Sequence, residues 1–147
     1  MNEFIPLILL EIEKLQKATL VLEYSFNKCL PLYNKPILND DELVEVEAYT
    51  ARFARLADVF LHISLKLIDK VDIENEGTVR DRLNRADKKR IIETLDGQIE
   101  IRKLRNKLAH EYITLSTSAF LESANILTPV LIKDVANAIQ HLQNYLA

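Results

Sequence analysis

Glycine occurs only twice in this chain of 147 residues, at Gly77 and Gly97. That scarcity restricts the fold more than any other feature. Tight hairpins draw heavily on glycine, so a sheet fold with many reversals lacks the residues to build them. Only four prolines are present, which leaves turns scarcer still. Apolar residues instead recur at three- and four-residue steps, the period of helices with one buried face. The expected fold class is all-α, an up-and-down bundle of about five to six helices in one domain spanning 1–147. With 48% apolar and 28% charged residues, a chain of this length can bury a sizeable core.

Residues 3 to about 29 read as one long helix, with Phe4, Leu7, Ile8, Ile12, Leu15, Thr19, Leu22 and Phe26 in register. Pro31 and Pro36 end it, because proline cannot sit in a helix interior without loss of a hydrogen bond. Asn39 with Glu42 makes a capping box, and Asp40 and Asp41 suit the positive end of a helix continuing to about residue 71. His62 on that helix is expected to be a partly buried structural residue. Residues 72–77 form the clearest loop. Thr78 and Asp81 cap a short helix around 79–85. Asp87 is expected to start another short helix through Leu95, stopped by Asp96 and Gly97 in the manner of a glycine cap. A further helix runs from about Gln98 to residues 110–112. After a hydroxyl-rich break at 114–118, a last helix or helix pair reaches Tyr145, with Pro129 either kinking it or lying in a first turn. His141 on that helix is expected to be structural.

The net charge of −3 conceals a gradient. Residues 1–47 carry four Lys/Arg against nine Asp/Glu, a balance of −5; residues 79–108 carry ten against five, a balance of +5. A basic segment of this kind suits a polyanionic partner, although a solvated, ion-paired helix face accounts for it equally well. Cys29 is the only cysteine, which excludes an internal disulfide and fits a reducing compartment. The apolar start lacks a basic leading segment and is interrupted by Glu11 and Glu13, and no apolar run approaches the ~20 residues of a membrane span. A soluble, cytoplasmic protein without a membrane partner is expected.

Few groupings could carry chemistry. His110 and Glu111 are adjacent and point to different sides, with no second histidine at helical spacing, so a metal site is not expected. With two glycines there is no phosphate-binding loop, and nothing in the spacing supports a pairing of Cys29 with His110. What remains is Arg105 with His110. Histidine exchanges a proton near neutral pH, and a guanidinium holds a phosphate through two hydrogen bonds. Those two groups are the minimum for cleaving RNA through its own 2′-hydroxyl, which needs no metal and no protein nucleophile. On an ideal helix, however, His110 lies about 140° from Arg105, whereas Tyr112 lies about 20° from it. The pair converges only where the helix frays or bends, or in a cleft closed by a second subunit. On the residues alone, an ordinary helix surface is the simpler account.

The stretch Arg105-Asn-Lys-Leu-Ala-His110-Glu-Tyr112 resembles the Arg-x-x-x-x-His-x-Tyr signature of the HEPN superfamily, in its HepT-like toxin branch. The likeness extends over roughly residues 40–112, including 47–58, 77–84 and 101–106. It implies a homodimeric helical bundle acting as a metal-independent ribonuclease toxin on RNA, with transfer RNA the family-level candidate. Arg105, Asn106 and His110 would be its catalytic residues, and Arg52, Arg102 and Lys107 candidate RNA contacts. It also implies a minimal nucleotidyltransferase antitoxin that transfers AMP to Tyr112, placing negative charge where RNA should bind. The alternative is a non-catalytic helical partner that presents substrate to a nucleotidyltransferase.

Overall fold

The computed structural model describes residues 2–110 and 116–147, and these form a helical bundle with no β-strand among them. A 3-10 turn at Asn2–Phe4 leads into α1 (Ile5–Cys29). A second, Leu30–Leu32, closes α1 where Pro31 removes a backbone donor. The next rod is composite. It comprises α2 (Asp40–Val59), a π-helical turn at Phe60–Ser64 and α3 (Leu65–Val71). Then come α4 (Val79–Lys88), α5 (Leu95–Ala109) and α6 (Thr117–Asn144). No helix of the described residues is long and apolar enough to cross a membrane.

Both expected capping boxes are present. Asn39 accepts from the Glu42 N–H while Glu42 accepts from the Asn39 N–H, and Thr78 and Asp81 do the same for α4. The helix expected from Asp87 to Leu95 does not form. Asp87 lies instead in the last turn of α4, and Arg90 takes a left-handed conformation, φ 60°. The Ile91 N–H then folds back onto the Ala86 carbonyl at 2.9 Å, and Ile91 and Ile92 bury almost completely. This is a helix-ending motif made without glycine. Gly97 ends nothing. It sits in the first turn of α5, and a Cβ there would meet Val130 of α6 at 3.0 Å. Pro129 lies inside α6, so the alternative of a new helix starting there is not adopted.

The core joins α1, α2, α5 and α6 through Leu15, Leu22, Phe53, Leu56, Ile101 and Leu131, each worth roughly 1.5–3 kcal/mol of burial. The first two helices are turned a little from the expected register. Leu7, Val44 and Ile63 face solvent, while Tyr49 and Phe53 are fully buried. Two polar ties fix α6. The Tyr49 hydroxyl lies 2.9 Å from Thr128 Oγ1, and Asp134, fully buried, accepts from the Glu93 N–H and from Gln98 Nε2 at 2.9 and 2.6 Å. The second tie, with Asn137 donating to the Ile91 carbonyl, holds the connection from which α5 starts.

Candidate functional site

Thr94 caps α5 by accepting from the Gly97 N–H at 3.0 Å. Ile101 and Leu104 turn inward, so Arg102, Arg105 and Asn106 are carried on the opposite, more open side. The helix ends at Ala109. His110 leaves it in an extended conformation, φ −90° and ψ 95°, with its N–H still donating to the Lys107 carbonyl. The extended ψ redirects the chain beyond His110, while its side chain leaves from close to the helical position, about 140° from Arg105. Arg105, Asn106 and His110 line one cleft of about 300 Å³ between α5 and the composite rod. The cleft is wide enough to be lined by both Arg105 and His110 within a single chain. Tyr112 lies outside the described residues.

Two further groups in this cleft come from the other wall. Asp58 of α2 accepts from Arg105 Nε at 2.7 Å, a pair in which Arg105 keeps 29% and Asp58 40% of its side-chain exposure. That hydrogen bond raises the affinity of the guanidinium for its proton, so Arg105 is a permanent cation. It also fixes the edge of the fork, and leaves the terminal nitrogens without a hydrogen bond to any described residue. Sequence reasoning missed Asp58 because 47 residues separate it from Arg105 and no local pattern links them.

The second is His62. Far from being partly buried, it is exposed and lines the same cleft. The π turn explains this. An extra residue per turn changes the phase of the rod, and its displaced carbonyls find other donors. Ser64 Oγ lies 3.2 Å from the Val59 carbonyl, and Arg82 donates to that of Leu61. The single hydroxyl proton of Ser64 is shared between the Val59 carbonyl and the buried Glu11 carboxylate, 2.8 Å away, which pins the turn to α1.

Much of the basic segment is engaged in ion pairs. Arg82 and Arg85 clamp the buried Asp69, Lys89 pairs with Asp72, and Lys103 with Glu100. Arg80 and Arg102 form no ion pair among the described residues. They line an adjoining groove of about 390 Å³ that shares Arg102 and Asn106 with the cleft. Of the expected RNA contacts, Arg102 is thus at the site. Lys107 is exposed on α5 and lines neither cavity. Arg52 is held elsewhere, donating to Ser25 Oγ at 2.9 Å and the Val21 carbonyl and lying over Tyr24. A larger cavity of about 500 Å³ beside Ser116 offers no acid–base pair, since its Lys35 is bound to Glu42. His141 is tied to Tyr145, which donates to Asp72, and burial lowers its pKa.

An arginine, an amide and an imidazole at the mouth of a basic groove can bind a phosphodiester and move one proton. The chain matches no protein-family model, no curated protein and no solved structure.

Proposed function

We propose that this protein is a metal-independent endoribonuclease of the HEPN type, acting as the toxin of a toxin–antitoxin pair. The observation that carries the reading is that Arg105, Asn106 and His110 line one cleft at the C-terminal end of α5. Arg105 neutralises the charge that builds on the scissile phosphate, His110 transfers a proton, and Asn106 orients the substrate or the ring. The groove through Arg102 and Arg80 extends positive charge along the RNA backbone. A homodimer would set two such clefts side by side. The partner is a minimal nucleotidyltransferase that silences the toxin by AMP transfer to Tyr112, two residues beyond His110.

The test is induced expression in a bacterial host, with bulk transfer RNA as the substrate in vitro. The wild type should arrest growth and cut RNA in the presence of EDTA, and Arg105→Ala and His110→Ala should do neither. Incubation with the nucleotidyltransferase encoded beside the gene and ATP should add an AMP mass that Tyr112→Phe loses. A harmless wild type, or an active Arg105→Ala, sinks the catalytic reading. One observation favours the non-catalytic alternative: the Arg105–Asp58 pair is also what a purely structural arginine would make. A wild type that leaves RNA intact yet is modified by the nucleotidyltransferase, with Arg105→Ala losing only stability, would select it.

A further inference from the structure

Cleaving RNA through its own 2′-hydroxyl needs two proton transfers in one step, one from the nucleophile and one to the leaving group. His110 supplies one. The cleft contains few candidates for the other. A guanidinium is a poor proton carrier near neutral pH, and Asp58 is engaged by Arg105 Nε. Gln98 is buried and donates to Asp134. Among the described residues, the remaining titratable side chain that lines this cavity is His62, exposed and carried there by the π turn.

We infer that His62 is a second catalytic residue, which together with His110 forms an acid–base pair across the cleft. This rests on the ribonuclease reading. In the step, the neutral ring of one histidine takes the proton of the 2′-hydroxyl as the 2′-oxygen bonds to phosphorus. The bond from phosphorus to the 5′-oxygen breaks, and the protonated ring of the other histidine gives its proton to that oxygen. The products are a 2′,3′-cyclic phosphate and a 5′-hydroxyl. No water is consumed, and exchange with solvent resets both rings. Arg105 stands beside the phosphate throughout.

The charged groups around His62 come from several elements. In the cleft these are Asp58 of α2 with Arg102, Arg105 and His110 from α5. On its other side, an adjoining cavity of about 370 Å³ brings Glu11 and Lys14 of α1 and Lys66 and Lys70 of α3. Glu11 is committed to Ser64 and Lys14.

The experiment is the rate of bulk transfer-RNA cleavage at saturating substrate from about pH 5 to 8, for wild type, His62→Gln and His110→Gln. Circular dichroism melts check each fold; both side chains are exposed. The wild type should give a bell-shaped profile and 2′,3′-cyclic phosphate ends. Each variant should fall by about 10²–10⁴-fold and keep only one limb of the bell, a different limb in each. If His62→Gln retains the wild-type rate while His110→Gln is dead, the pairing is overturned and the ribonuclease reading stands. A uniform loss in His62→Gln with the bell intact assigns His62 a structural part and equally overturns it. If the wild type leaves RNA intact, the ribonuclease reading has failed first.

Discussion

At the scale of single residues, the buried carboxylate of Asp134 governs where the cleft is. It is fully buried between α6 and the start of α5, and burial pushes its pKa up to about 6 against an ordinary 3.8, despite hydrogen bonds from Gln98 and the Glu93 N–H. A raised carboxyl pKa means that the folded chain binds this proton more tightly than the unfolded one. The associated stability is present in full below about pH 4 and is lost as pH rises towards 6. The difference in stability between the wild type and Asp134→Asn should therefore shift by about 2–3 kcal/mol between pH 4 and 6 and stay flat above. Urea unfolding midpoints across that range measure it, and a constant difference would contradict the burial argument. Little of this was legible beforehand. Asp134 is one of many acids in a helical pattern, and what distinguishes it is a partner 36 residues away.

At the scale of elements, local signals were read well where they are local. Asn39 with Glu42 and Thr78 with Asp81 announce two helix starts through side chain–backbone hydrogen bonds that span three residues. Helix ends were harder, because this chain ends helices without glycine. After α3, Ile73 takes a left-handed conformation, φ 59°, and the Glu74 N–H reaches back to the Asp69 carbonyl at 2.8 Å. A β-branched residue there is strained by roughly 1–2 kcal/mol, and Ile73 is 88% exposed, so its side chain contributes little packing in return. Ile73→Gly should stabilise the protein by about 1 kcal/mol net of the added freedom of the unfolded chain. A lowered melting temperature would contradict this. The same habit defeated the expectation of a helix from Asp87, since Arg90 gives no sequence hint of its turn. The π turn was invisible for a related reason. A 3.6-residue period fits the rod on either side of Phe60–Ser64, and the Ser64–Glu11 hydrogen bond that accompanies the turn joins residues far apart in the chain.

At the scale of the whole molecule, helical class and the position of the Arg105–His110 helix followed from periodicity and from the scarcity of glycine. The second wall of the cleft did not, because Asp58 and His62 reach it only through the packing of the composite rod against α5. Charge asymmetry was legible as a total but not in its use, since Arg82 and Arg85 serve Asp69 and only part of the basic segment faces a groove. A proposed homodimer adds a testable dependence: activity per mole of chain should rise with concentration through the range where sedimentation shows dimers dissociating. Constant specific activity of a chain that sediments as a monomer would make one cleft sufficient. The anchoring of α5 by Asp134 and Asn137 has one more consequence, for the order in which the protein is made. The ribosome delivers α5 before α6, so the helix that bears Arg105 emerges ahead of the residues that fix its starting point. A nascent chain halted before residue 117 carries Arg105 and His110 without the α6 residues that anchor the start of their helix.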